Sequence, residues 1–152
     1  KSLAAEGAAL RKELIDSIQK DTESFTAYMN ALGMPKNTDE EKAARKEAMQ
    51  NGLKEAAEVP LAVAETALKI FHVAGAVVER GNANAVTDGL VASMMARTAV
   101  LSALLNVKIN LGSIKDEEFV ARMAAKVAEL EKAAMDGEKA VMELSALTRD
   151  LV

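Results

Sequence analysis

The sequence predicts an all-α fold, an elongated antiparallel bundle of about five helices. Half of the 152 residues are hydrophobic but only 3% are aromatic, so small and aliphatic side chains must form the core. Ala, Leu, Met, Lys and Glu, which have high helix propensity, dominate the chain. Apolar residues recur every three or four positions, and no convincing strand pattern is present. The length is that of one domain spanning residues 1–152.

The first helix is predicted from about Ser2 to Leu32, where Gly33 and Pro35 end it. Its apolar positions are spaced by three, four and seven residues. They are Leu10, Leu14, Ile18, Phe25, Met29 and Leu32. This spacing predicts an apolar stripe along one side of the helix.

The second helix is predicted to begin at a capping box, in which Thr38 is the N-cap and Glu41 reaches back to it. It is expected to run to about Glu58. Pro60 disfavours helical geometry in the residue before it and is well placed as a first helical residue. We therefore expect the helix to break or kink there, and a third helical segment from Pro60 to Arg80.

Gly81 is expected to end the third helix in a left-handed conformation. A short polar loop follows, and the fourth helix is predicted over roughly Ala85 to Leu111. The fifth is predicted to start near Asp116 and to reach the C-terminus. No internal repeat or long linker divides the chain.

The composition excludes several classes of function. The chain contains no cysteine and one histidine, so thiolate chemistry and two-histidine metal sites are excluded within one chain. The net charge of −4 and the absence of Trp argue against a nucleic-acid surface. Charged residues interrupt the most apolar stretch, residues 59–78, so no membrane span is expected. No signal peptide is visible, which makes the cytoplasm the expected location.

Asp21 is the leading candidate for a catalytic residue. It falls on the apolar stripe of the first helix, between Ile18 and Phe25. Burial of a carboxyl group raises its pKa, which suits a general acid near neutral pH. The alternative is a structural partner for an Arg, a Lys or a helix N-terminus.

The fourth helix carries a seam of small residues with polar ends. Its members are Asp88, Ala92, Met95, Ala99, Ala103, Asn106 and Asn110. Asn106 and Asn110 lie one turn apart, and their amides could hydrogen-bond a heterocycle. They could equally cap neighbouring helices or fix the register between chains. The seam, together with the length of the helices, predicts a homo-oligomer whose minimal unit is a dimer.

Other polar residues carry weaker signals. The Gly81-Asn82 turn lacks every phosphate-loop pattern and is typical of a capped helix end. His72 lies in an apolar segment and is expected in the core or at an interface. Lys36 and Arg45 could meet the acidic tail of a substrate, although surface charges are usually only solvated.

Six segments, in order, resemble the cyclodeaminase domain of formimidoyltransferase-cyclodeaminase. They are Asp21-x-x-x-Phe25, Pro35-Lys36-Asn37-Thr38, Val59-Pro60-Leu61, Gly81-Asn82 with Asp88, Asn106-Val107-Lys108-Ile109-Asn110-Leu111 and Asp116-Glu117-Glu118-Phe119. The resemblance covers about residues 15–135. The Gly-rich loop and the first helix with which that family begins are not in this sequence.

The resemblance implies an all-α fold that dimerises through long helices. It also implies that 5-formimidoyltetrahydrofolate closes to 5,10-methenyltetrahydrofolate with release of ammonia, as in histidine degradation. The family's proton donor maps onto Asp21, and Asn82, Asp88, Asn106, Asn110, Lys36 and Arg45 are the expected substrate-binding residues. The alternatives are methenyltetrahydrofolate cyclohydrolase, which opens the same ring with water, and a non-catalytic helical oligomerisation module.

The expected ligand is the folate substrate alone. We expect no metal, because the chain offers one His, no Cys and no acidic loop of the calcium type. We expect no cofactor beyond the tetrahydrofolate derivative and no nucleic-acid or membrane partner. The resemblance also indicates a formimidoyltransferase as a partner.

Overall fold

The computed structural model describes residues 2–151, and within them it contains five α-helices and no strand. The helices are α1 (Leu3–Leu32), α2 (Asp39–Leu68), α3 (Ile70–Arg80), α4 (Val86–Leu111) and α5 (Glu117–Glu143). Two short 3₁₀ turns, Ala83–Ala85 and Arg149–Leu151, complete the described structure. The predicted all-α fold of about five helices is confirmed.

The predicted starts of the first, second and fifth helices agree with their capping hydrogen bonds. Ser2 caps α1. The Thr38 hydroxyl accepts from the Glu41 N–H at 3.2 Å, and the Glu41 carboxylate accepts from the Thr38 N–H at 3.2 Å. At α5, the Asp116 carboxylate accepts from the Phe119 N–H at 3.0 Å. Each cap satisfies N–H groups that have no partner within the helix.

The prediction that Pro60 breaks a helix is wrong, because α2 continues through Pro60 to Leu68 and the chain bends only at Lys69. Proline has no N–H, so the carbonyl oxygen of Ala56, four residues earlier, loses its normal helical partner. The side chain of Asn110 on α4 replaces that partner, since its Nδ2 donates to the Ala56 oxygen at 2.8 Å. A neighbouring helix therefore compensates for the proline.

Two further helix ends differ from the prediction, that of α3 in the conformation of its cap and that of α5 in its position. Gly81 has φ −78° and ψ −170°, which is extended rather than left-handed. Glycine is still required there, because a Cβ would overlap the carbonyl oxygen of Val77. Helix α5 ends at Glu143 rather than at the C-terminus, and the chain then turns back so that the Thr148 hydroxyl donates to the Met142 carbonyl at 2.7 Å.

The helices form an antiparallel array in which α2 and α4 occupy the middle. Helix α1 folds back along α2, and the backbones approach closely at Gly52, where a Cβ would lie 3.1 Å from Tyr28 Cα. Further along the pair, Thr66 Oγ1 on α2 donates to Glu13 Oε1, in the N-terminal half of α1, at 2.6 Å. Helix α4 returns along α3 and α2, and α5 packs on α4. No Cα of α1 lies within 8 Å of a Cα of α4, so a groove remains between them above α2.

The core is formed mainly by α2, α3, α4 and α5. The largest apolar side chains with at most 2% exposure all lie on α4, and they are Val100, Leu104 and Val107. By contrast, α1 buries only Leu10, Ser24 and Ala31. The face that α1 turns to the bundle therefore consists largely of small residues.

Large apolar side chains are exposed along both sides of the groove. On α1 they are Ile15, Ile18, Phe25 and Met29, and on α4 they are Val91, Met95, Leu105 and Ile109. We name these eight residues the apolar rims. Their spacing of three, four or seven residues, or a sum of these, places each set on one helical face. Patches of this kind commonly mark interaction surfaces.

Two stretches, Asp39–Arg80 and Ala83–Leu111, contain 18-residue windows with a mean hydropathy of 1.6, which is apolar enough for a membrane span. About a third of each window is buried, 33% and 39%. These helices pack on one another along the middle of the bundle. Core helices pass the same test of length and composition, so the windows are weak evidence for a membrane.

Candidate functional site

The groove between α1 and α4 encloses a cavity of about 420 Å³. Its floor is formed by Pro60 and Val63 of α2. Its walls are Leu14, Ser17, Ile18, Asp21 and Thr22 of α1 and Ala99, Ser102, Ala103 and Asn106 of α4. Five of these eleven residues are polar, and the volume falls in the usual range for small-molecule sites.

The groove brings together two residues predicted from sequence, Asp21 and Asn106. They enter it from opposite walls, although they are far apart in the chain. Asn106 Nδ2 donates to the Ser102 carbonyl one turn earlier on α4, at 3.1 Å. This bond fixes the amide, so that its oxygen remains as an acceptor.

The expectation that Asp21 is buried is wrong for the single chain, because Asp21 is exposed. The stripe on which it lies faces outward: Ile18 is 68% exposed and Phe25 is 62% exposed. The structural alternative also finds no support, since the Asp21 carboxylate forms no ion pair within residues 2–151. Asp21 is thus a solvated carboxylate at the wall of a groove.

Three of the other candidates on and near α4 lie outside the groove. The donor of Asn110 is used by the Ala56 carbonyl. Asn82 Oδ1 accepts from the Asn84 N–H at 3.0 Å and so caps the 3₁₀ turn. Asp88 is exposed in the first turn of α4, at the opposite end of the helix from Asn110. The structure therefore places three of the expected substrate-binding residues, Asn82, Asp88 and Asn110, outside the lining of the groove.

Lys36 and Arg45 also lie away from the groove. Lys36 is exposed in the connection between α1 and α2. The guanidinium of Arg45 donates through Nε and Nη2 to the Leu32 carbonyl, at 3.3 and 3.2 Å. Arg45 thereby satisfies a carbonyl at the C-terminal end of α1, where a positive charge is favourable.

The structure adds polar residues that the sequence analysis missed. Ser17, Thr22 and Ser102 place three hydroxyl groups in the groove. A signal for one of them was present, because Ser102 precedes Asn106 by one helical turn and must share its face. Ser17 and Thr22 lie beside Asp21 on α1, but the sequence does not show that α4 forms a second wall opposite them, so it could not identify them as groove residues.

His72 lies at the surface of the single chain. Its side chain is 65% exposed and its Nδ1 lies 2.9 Å from Glu6 Oε1, so it is not in the core, and the alternative position at an interface stays a prediction. No group of three or more His, Cys, Asp or Glu side chains that could hold a metal occurs within residues 2–151. In the described chain, the groove is thus the place where a carboxylate and amide and hydroxyl groups converge around one cavity.

An all-α bundle with a polar groove between two of its helices is the class of protein that these features define. Residues 1–129 match the family described as formiminotransferase-cyclodeaminase, and the chain belongs to this family. The family comprises cyclodeaminases and cyclohydrolases of folate metabolism.

Similar proteins carry both kinds of name. A methenyltetrahydrofolate cyclohydrolase of Methylorubrum extorquens is 41% identical over 119 residues, which are 78% of this chain and 57% of the relative. A formimidoyltransferase-cyclodeaminase of Gallus gallus is 36% identical over 132 residues, 87% of this chain and 24% of the relative. The crystal structure of a formiminotetrahydrofolate cyclodeaminase from Thermotoga maritima superposes with a TM-score of 0.77 and 29% identity. That match covers 95% of this chain and 66% of the other. The chain thus spans less than two thirds of the length of each of these proteins.

Proposed function

We propose that the chain is a formimidoyltetrahydrofolate cyclodeaminase, which closes 5-formimidoyltetrahydrofolate to 5,10-methenyltetrahydrofolate and releases ammonia. The observation that carries the proposal is the convergence of Asp21 and Asn106 on one cavity of about 420 Å³. The family match to the whole of α1, α2, α3 and α4 supports it.

In this reaction N10 of the folate attacks the carbon of the formimidoyl group, the proton of N10 passes to the terminal nitrogen, and a tetrahedral centre that carries an amino group forms. The C–N bond to the terminal nitrogen then breaks, and that nitrogen must gain a proton to leave as ammonia. Asp21 is the proposed donor of this proton. Asn106 Oδ1 is placed to accept a hydrogen bond from an N–H of the substrate.

The exposure of Asp21 in the single chain means that its environment must change when the site is assembled. A folate ring in the groove would displace water from both walls. A second copy of the chain across the apolar rims would exclude more. Removal of water favours the protonated form of a carboxyl group, which is the form that a general acid needs.

A methenyltetrahydrofolate cyclohydrolase is the second candidate, and the 41% identity to the Methylorubrum extorquens protein favours it. That reaction adds water to the carbon that bridges N5 and N10 and then breaks the bond from this carbon to one of the two nitrogens, which takes up a proton. It therefore uses the same carbon and, we propose, the same groove. Here Asp21 would accept a proton from the attacking water.

We also propose that the chain acts as a homo-oligomer, with a dimer as the minimal unit. The eight exposed apolar residues of the rims support this proposal. The small-residue seam supports it only in part, because Ala103 is buried within the chain and Ala92 is partly buried, while Met95 and Ala99 are exposed. Sedimentation should give a dimer or larger at micromolar concentration. A monomer that is active would contradict the proposal.

Three further expectations accompany this assignment. The folate is expected to be the ligand, with no metal and no additional cofactor. A formimidoyltransferase is a proposed partner, because four relatives at 33–36% identity carry that activity in their names. The cytoplasm is the proposed location.

The decisive assay follows the methenyl chromophore with the purified protein. Appearance of the chromophore from 5-formimidoyltetrahydrofolate would support the cyclodeaminase. Its loss from 5,10-methenyltetrahydrofolate, above the spontaneous rate, would support the cyclohydrolase. Failure with both would refute the proposed function and favour the non-catalytic oligomerisation module.

A further inference from the structure

Within the groove, one hydroxyl group differs from the others. Ser17 Oγ donates to the Glu13 carbonyl at 2.9 Å, and Thr22 Oγ1 donates to the Ile18 carbonyl at 3.1 Å. Both bonds turn the hydroxyl hydrogen back onto α1. The Ser102 hydroxyl, on the opposite wall, forms no hydrogen bond to any group in residues 2–151. Its donor and acceptor capacity is therefore open to a molecule in the groove.

The apolar rim of α4 is interrupted by polar residues around Ser102. Met95 and Leu105 are each 64% exposed and stand on the same face before and after it. Thr98 and Ser102 occupy the interval between them, so this part of the face is polar. Thr98 Oγ1 is already engaged, because it donates to the Met94 carbonyl at 3.0 Å.

Asn106 stands one turn beyond Ser102 and is held by the Ser102 backbone carbonyl, not by the serine side chain. The amide oxygen and the serine hydroxyl consequently lie on one wall of the groove at helical i, i+4 spacing. Together they present an acceptor and a group that both donates and accepts. Asp21 faces them from α1 across the cavity.

We propose that Ser102 is a substrate-binding residue, whose hydroxyl hydrogen-bonds the nitrogen or oxygen substituent on the one-carbon unit while Asp21 exchanges a proton with it. The inference rests on the proposed function, because it assigns a group to the same groove. Ser102 acts by holding the substituent in reach of Asp21, and it neither gains nor loses a proton in the reaction.

The test compares Ser102→Ala, Ser102→Thr and Thr98→Ala in the full chain, each assayed with both folates alongside wild type. Ser102→Ala leaves the Asn106 bond intact, since that bond uses the backbone. We expect it to lower kcat/KM by about 2- to 12-fold, the effect of one neutral hydrogen bond. Ser102→Thr keeps the hydroxyl and should recover most of the activity. Thr98→Ala, whose hydroxyl points back onto α4, should stay within about 2-fold of wild type.

Melting temperatures of the same preparations distinguish binding from folding. The Ser102 side chain is exposed and forms no hydrogen bond within residues 2–151, so Ser102→Ala should melt close to wild type. If wild type is active and the kcat/KM of Ser102→Ala equals that of wild type, the inference about Ser102 is overturned while the proposed function is retained. Equal losses for Ser102→Ala and Ser102→Thr would also overturn it, because the hydroxyl would not be the cause. Wild type that is inactive on both folates would refute the proposed function, and this inference with it.

Discussion

Replacing Asn110 with Ala is predicted to destabilise the protein through a proline on another helix. Pro60 deprives the Ala56 carbonyl of its helical hydrogen bond, and the Asn110 amide supplies the replacement at 2.8 Å. Asn110→Ala leaves that carbonyl without a partner. An unsatisfied buried acceptor costs about 1–3 kcal/mol, and because this site is only partly buried we expect about 1–2 kcal/mol.

A double-mutant cycle tests this reasoning. In a Pro60→Ala background, residue 60 regains an N–H that can donate to Ala56, so Asn110→Ala should cost less than about 0.5 kcal/mol. The predicted coupling between the two positions is therefore about 1 kcal/mol. Urea unfolding followed by circular dichroism gives the four free energies. Asn106→Ala is the matched control, because its donor goes to its own helix, and it should show no coupling to Pro60. An equal cost of Asn110→Ala in both backgrounds would refute the account of the proline.

Two further predictions concern charged residues outside the groove. Hydrogen bonds from Lys54 and from the Phe119 N–H lower the pKa of Asp116 below its usual 3.8. The ionised Asp116 therefore stabilises the folded protein fully at pH values above 3.8, and this stabilisation is lost as the pH falls through the lowered pKa. Asp116→Asn keeps an N-cap. The melting temperature of wild type should exceed that of this variant by a constant amount above about pH 5, and the difference should shrink in more acid solution. A difference that grows in acid would contradict the lowered pKa of Asp116. Arg45→Met should lower the melting temperature, because the Leu32 carbonyl loses two donors, while KM for the folate should change by less than about 2-fold if this contact is its whole role. A large rise in KM at unchanged stability would instead restore the predicted role of Arg45 in binding the substrate tail.

Sequence patterns were sufficient for most helix boundaries, because caps are local. Thr38 and Glu41 bond to each other's backbone within one turn, so their spacing carries the whole signal. The break at Pro60 was a wrong prediction for the opposite reason. Its compensation comes from Asn110, which is distant in sequence, and no local rule contains it.

Only part of the candidate site could be predicted from the sequence. Asp21 and Asn106 were found from their positions on helical stripes, and the structure places both at one cavity. The burial of Asp21 could not be judged, because an apolar stripe identifies a face but not the element that covers it. In this chain α1 uses Leu10, Ser24 and Ala31 to contact the bundle, which leaves the larger apolar residues outside.

The most direct test of the central claim, that Asp21 transfers a proton in the groove, is the turnover of Asp21→Asn. The amide keeps the shape of the side chain but has no transferable acid proton, so kcat should fall by about 10²- to 10⁴-fold while KM changes far less. Asp16→Asn is the matched control, because Asp16 lies on the same helix, is exposed, forms an ion pair with Lys12 and does not line the groove. Its turnover should stay near that of wild type, and both variants should melt close to wild type. Turnover of Asp21→Asn equal to that of Asp16→Asn would contradict the account.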